Sequence, residues 1–123
     1  MIILRNREEM EKYYVKEVNT YVFKDNVVFL FDVKIMSHIR AWNINARNII
    51  SMDITANDIM ACDIMAWNIK SRNINARVIN YDEVCYAYYN IHCNSIKGRF
   101  QNAKHFVLDG ELVVGGKKND KDK

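Results

Sequence analysis

The stretch that decides the fold runs from His38 to Val84: HIRAWNINARNIISMDITANDIMACDIMAWNIKSRNINARVINYDEV. Every fifth residue in it is a branched aliphatic, in the series Ile39, Ile44, Ile49, Ile54, Ile59, Ile64, Ile69, Ile74, Ile79, Val84. Two residues after most of them stands a small side chain: Ala41, Ala46, Ser51, Ala56, Ala61, Ala66, Ser71, Ala76. One residue before most stands an amide or an acid: Asn43, Asn48, Asp53, Asp58, Asp63, Asn68, Asn73. The unit is Asn/Asp-Ile-x-Ala-x.

A period of five suits neither regular element. A helix turns 100° per residue, so isoleucines five apart would spiral around it at about 140° steps. In a strand, positions five apart point to opposite faces. A chain that turns a corner every five residues buries the whole series, because each side sends one Ile into a shared interior and the Ala two positions on points the same way. Asn and Asp bond their own nearby backbone and tolerate left-handed conformations, which places the expected corner beside them. Four such sides would close a turn of roughly twenty residues, and turns would stack about 4.8 Å apart. Fixed short periods of this kind mark solenoids.

The pentads resemble those of pentapeptide-repeat proteins, whose unit places Asp or Asn immediately before a large apolar residue. Seven positions match, from Asn43 to Asn73. The small residue that the family carries two before the large one is displaced here to two after it. The family's positions hold Trp42, Arg47, Met52, Asn57, Cys62, Trp67 and Arg72, so whether Trp42 and Trp67 face in or out stays open. The resemblance covers residues 39–86 well and 87–108 loosely. It implies a right-handed quadrilateral β-helix, mainly β, and the chain length suits about four to five such coils plus caps. The Asn-Ile-x-Ala runs are also similar to those of small phage-type proteins from low-GC bacteria.

Length and charge bound the reading further. The 123 residues suit one domain. Our expected division is a β-solenoid over 1–116 and a disordered tail over 117–123. Within the solenoid, residues 1–19 form an N-terminal helix or cap and 20–38 an irregular first coil. Regular pentads then fill 39–86, and an irregular coil and hairpin fill 87–116. The net charge is +3, and the tail, with Lys117, Lys118, Lys121 and Lys123 against Asp120 and Asp122, carries most of it. Inside the repeat, Arg40, Arg47, Lys70, Arg72 and Arg77 balance Asp53, Asp58, Asp63, Asp82 and Glu83. Some pentapeptide-repeat proteins act as acidic DNA mimics. A neutral repeat argues against that role and also lacks the surplus of base that non-specific DNA binding needs. There is no apolar run of transmembrane length, and Met1-Ile-Ile-Leu-Arg is charged too early for a secretory signal. Cys62, Cys85 and Cys93 have no metal-ligand spacing, and we read them as reduced structural thiols in the cytoplasm of a bacterial host.

The flanks are irregular. Arg5–Val18 reads as a helix capped by Asn6, with Glu8 and Glu9 in its first turn. Either this helix or an incoming strand covers the open end of the stack. Residues 20–36 are strand-like, with a turn at Asp25-Asn26, and form a first coil or a capping hairpin. After Val84 the register shifts by two, and a new series starts at Ile91 and Ile96. That shift predicts a bulge or a longer corner at 86–90. Asp109-Gly110 reads as a hairpin turn, and Gly115-Gly116 with the tail as disordered.

No catalytic, metal or cofactor constellation is legible, so the expectation is a non-enzymatic chain without a cofactor. His38, His92 and His105 stand far apart with no partner motif. Candidate partner-binding residues are Trp42, Arg47, Trp67, Arg72 and Arg77, because Trp, Tyr and Arg are enriched in interface hot spots. Four-sided stacking would set Trp67 on Arg47, Arg72 on Met52, Arg77 on Asn57 and Trp42 on Cys62. Tyr86, Tyr88 and Tyr89, with Tyr81, form either a packed corner or a contact surface. The leading expectation is a protein-binding inhibitor of phage or mobile-element type, of the anti-CRISPR or other anti-defence kind, acting on a host protein such as a Cas effector. The alternatives are nucleic-acid binding through Arg40, Arg47, Lys70, Arg72, Arg77 and Arg99 with the tryptophans, or a self-assembling stack that dimerises or polymerises through its ends, which a dimer through residues 100–114 would support.

Overall fold

The computed structural model describes residues 1–118. Each pentad between Ile39 and Ile79 forms one side of a coil, as the period requires. The coil closes after three sides, where four were expected. Ile39 pairs with Ile54 and Ile54 with Ile69; Ile44 pairs with Ile59 and Ile59 with Ile74; Ile49 pairs with Ile64 and Ile64 with Ile79. All these ladders are parallel, with partners fifteen residues apart, and in the order given they form the first, second and third walls. The chain is a β-solenoid of about six turns with one short helix near its N-terminus. The quadrilateral of four to five coils is thereby corrected.

The reason lies at the corners. Strands such as Asn43–Asn45 and Asn48–Ile50 leave Ala46 and Arg47 between them. The bend therefore falls on the small residue and its exposed successor, and Asn/Asp opens the next side. The inward side chain at a corner is Ala or Ser, which leaves room for an acute turn and lets three isoleucines fill each layer at interior density. The nine isoleucines at five-residue spacing from Ile39 to Ile79 are all at most 2% exposed, and each such burial stabilises by about 1.5–3 kcal/mol.

The Asn/Asp positions form ladders along the walls. Asn73 Nδ2 donates to Asp58 Oδ1 at 2.8 Å, and the Asp58 backbone N–H donates to Asn43 Oδ1 at 3.1 Å. Asn68 Nδ2 donates to Asp53 Oδ1 at 3.0 Å, and below Asp53 His38 takes the amide's place, its Nδ1 accepting from the Asp53 N–H at 3.1 Å. A carboxylate only accepts, so it stacks well on amides and poorly on another carboxylate. Asp53, Asp58 and Asp63 accordingly occupy one coil between coils of amides. Above Asp63 the ladder residue is Val78, and Arg77 supplies the missing donor at 3.0 Å.

The register break resolves into two single-residue insertions at corners. Ala66 pairs with Tyr81 and Asn68 with Val84, so Asp82 and Glu83 together oppose Trp67. Ser71 pairs with Ala87 and Asn73 with Asn90, so Tyr88 and Tyr89 together oppose Arg72. Val84 therefore sits in the amide position, and Cys85 replaces it in the isoleucine column. The later series is as expected, with Ile91 on Ile74 and Ile96 on Ile79.

The ends differ from expectation in length and position. The helix spans only Arg7–Met10, extended by a 3-10 turn over Glu11–Tyr13. Asn6 caps it, with Oδ1 accepting from the Glu9 N–H at 3.0 Å. Ile2–Leu4 is a strand on the second wall, paired with Val27–Phe29. Met10 is fully buried, and Tyr21 reaches Glu11 with a 2.6 Å hydrogen bond, so helix and strand share the covering of the N-terminal end. Residues 20–34 are three sides of a coil, and Asp25-Asn26 is a corner. At the far end, Lys104–Val107 and Leu112–Val114 both pair in parallel with Val78–Cys93, so Asp109-Gly110 is a corner as well. The hairpin lies further on. Leu112–Val114 pairs antiparallel with Lys117–Lys118 across Gly115 and Gly116, whose φ values of 63° and 78° suit glycine. The expected disorder at 115–118 is corrected; residues 119–123 lie outside the described residues.

Candidate functional site

The three corners sort the candidate side chains. The first corner stacks Trp42, Asn57, Arg72 and the pair Tyr88–Tyr89: the Asn57 N–H donates to the Trp42 carbonyl and the Arg72 N–H to the Asn57 carbonyl, both at 2.6 Å. The second stacks Arg47, Cys62 and Arg77, by the equivalent bonds of 2.8 and 2.7 Å. The third stacks Met52 and Trp67 at 3.1 Å. The expected contacts of Trp67 with Arg47, Arg72 with Met52, Arg77 with Asn57 and Trp42 with Cys62 are corrected, because each assumed a twenty-residue turn. Both tryptophans face out, Trp42 at 55% and Trp67 at 45% exposure.

Pairing separates the cations. Arg5, Arg7, Arg47, Arg77 and Arg99 each lie within 4.0 Å of a carboxylate: Glu9, Glu11, Asp32, Asp63 and Asp82 in turn. Arg40 and Arg72 have no carboxylate partner among the described residues. These two share the first wall and its corner. The outward column of that wall holds Arg40, Thr55, Lys70, Tyr86 and Phe106, set in register by the strand pairing. Tyr86 packs on Phe106 with ring centroids 5.1 Å apart, and Tyr88 meets Tyr89 edge-on at 4.7 Å. Five of the eight expected site residues, Trp42, Arg72, Tyr86, Tyr88 and Tyr89, are thus brought onto one surface. Arg47 and Arg77 sit at the second corner, neutralised. Trp67 sits at the third, beside exposed Met36, Ile50 and Met65.

Tyr81 is not part of that surface. It stands in the small-residue column, between Ala66 and Gly98, and is 2% exposed. Its hydroxyl meets His105 Nδ1 at 2.6 Å. An added Cβ at Gly98 would lie 3.0 Å from the Tyr81 ring and 2.4 Å from Ala103 Cβ, so glycine here makes room for the ring. Burial pushes the Tyr81 hydroxyl up to about 12 and the Cys85 thiol up to about 12, raises Cys93 and lowers His105. All four shifts favour the neutral form, and the cluster fills the core under the last coil. Cys85 and Cys93 are buried as expected, whereas Cys62 is exposed at the second corner.

Among the described residues, no group of three His, Cys, Asp or Glu side chains is placed to hold a metal ion, and no helix is long and apolar enough to cross a membrane. No family model, curated protein or solved structure matches the chain.

The sequence reading missed the special standing of Arg40 and Lys70, which it grouped with every other repeat cation. The signal that could have singled them out is the fifteen-residue spacing, which sets Lys70 over Thr55 and Thr55 over Arg40.

Proposed function

We propose that the chain is a protein-binding solenoid without catalysis of its own, and that its first wall and corner dock an acidic surface of a partner protein. One observation carries this reading: the two arginines left without a carboxylate stand on the same surface as Lys70, Trp42 and three outward tyrosines. Arginine and aromatic side chains at the centre of an interface contribute most of its energy, and an unpaired cation attracts an acidic partner without first breaking an internal pair. A rigid wall loses little conformational entropy on binding. The resemblance to phage-type chains makes a host defence protein, such as a Cas effector, the first partner to test.

The test is affinity capture from a host lysate with three baits: the native chain, Arg72→Glu and Arg77→Glu. Arg72→Glu is expected to lower capture of the partner at least tenfold, since a hot-spot loss exceeds about 1.4 kcal/mol. Arg77→Glu, at another corner, is expected to leave it nearly unchanged. Equal loss in both, or in neither, contradicts the reading. The interleaving of Lys70 and Arg72 with rings also fits single-stranded nucleic acid. Saturable low-salt binding of an oligonucleotide that Arg72→Glu removes would transfer the surface to that class.

A further inference from the structure

We propose that the concavity at the first corner receives a phosphate monoester carried on a planar ring, with Lys70 and Arg72 on the phosphate and Tyr88 and Tyr89 beside the ring. The proposal deepens the docking reading and rests on it for the wall being a binding surface. The concavity has a volume of about 410 Å³, and Thr55, Lys70, Arg72, Tyr86, Tyr88 and Tyr89 line it. No acid lines it.

Two features point to a doubly charged ligand with a ring. First, two cations without carboxylate partners face one small volume. A single carboxylate would balance one of them, whereas a phosphate monoester carries about −1.5 to −2 at pH 7 and balances both. Arginine offers it a planar fork and lysine a point charge. Second, the single-residue insertion opposite Arg72 doubles the corner to Tyr88 and Tyr89, both more than 40% exposed. Their edge-on contact leaves ring faces open to a stacked partner. The larger concavity on the second wall, about 450 Å³, differs on this point. Asn43, Asp58 and Asn73 line it, and they already bond one another along the ladder.

The experiment titrates the full chain with phenyl phosphate, adenosine monophosphate, a phosphotyrosine peptide, inorganic phosphate and benzoate, and follows backbone amide resonances. The ring phosphates are expected to shift the amides of residues 70–72 and 86–89 saturably, and to bind at least tenfold tighter than inorganic phosphate or benzoate. Arg72→Gln should weaken them tenfold or more, and Arg77→Gln should not, with unchanged dispersion of the remaining resonances as the check on folding. The tighter of the nucleotide and the peptide identifies the source of the phosphate. No saturable shift at millimolar ligand, or benzoate binding as well as phenyl phosphate, overturns the proposal. If lysate capture still depends on Arg72 in that case, the docking surface stands and this pocket assignment alone falls.

Discussion

Replacing Tyr81 by alanine is expected to destabilise the protein by about 3–5 kcal/mol, the range for deleting a large buried aromatic side chain. Tyr81 is the bulkiest of the fully buried side chains. It fills the interior where the columns change character, with Cys85 in place of an isoleucine and His105 stacked on it. Its neighbour Gly98 has already given up a side chain to admit the ring, so nothing adjacent can expand into the hole. The Phe variant keeps the volume and loses only the 2.6 Å bond to His105, at a cost of about 1–3 kcal/mol with the imidazole left unpaired. Urea unfolding of both variants checks the pair of values. Equal losses for Ala and Phe would show that the hydrogen bond, and not the packing, carries the end of the core.

Ile64→Ala is expected to cost about 2–5 kcal/mol. Ile64 is 1% exposed and lies between Ile49 and Ile79 on the third wall. Identical isoleucines stack above and below it on a backbone that hydrogen bonds in both directions, so the cavity cannot close by a local shift. In a solenoid, stability is the sum of each turn and its two interfaces; a central defect weakens both interfaces of its turn. Ile50→Ala, on the outside of the same wall at 39% exposure, should cost far less. Thermal or urea midpoints of the two variants make the comparison. A loss at Ile50 as large as that at Ile64 would contradict the inward assignment of the column.

The period of five made the solenoid and its isoleucine column legible in the sequence, because no helix or strand buries residues at that spacing. The number of sides was harder to read, since five-residue sides close equally well on paper into three or four. A second rhythm did hold the answer. Asp53, Asp58 and Asp63 are three acids in a row, with amides at Asn43 and Asn48 before them and Asn68 and Asn73 after them. Carboxylates avoid stacking on carboxylates, so three consecutive acids suit one turn of three sides. In a four-sided coil the fourth side of that acidic turn would have carried an amide. The same oversight scattered the candidate surface. Counting by twenty set Trp67 on Arg47 and hid the column of Arg40, Thr55 and Lys70 that counting by fifteen exposes. The ends were least legible. Asp109-Gly110 has hairpin chemistry but serves as a corner. The short N-terminal segment Ile2–Leu4 pairs as a strand with Val27–Phe29, outside the pentad series and so without its spacing as a signal.

The three-sided turn places every residue of the proposed binding surface, so it is the claim to test first. Cys62 is exposed at the second corner, and its N–H bonds the Arg47 carbonyl at 2.8 Å. A cysteine placed at position 47 would therefore stand one turn below it, within the range of Cα separations that a disulfide spans. We predict that Arg47→Cys forms a disulfide with Cys62 under mild oxidation, read by mass spectrometry after proteolysis, and that Trp42→Cys, twenty residues from Cys62 and at another corner, does not. Ready bridging from position 42 with none from position 47 would mean four sides per turn, and would contradict the account.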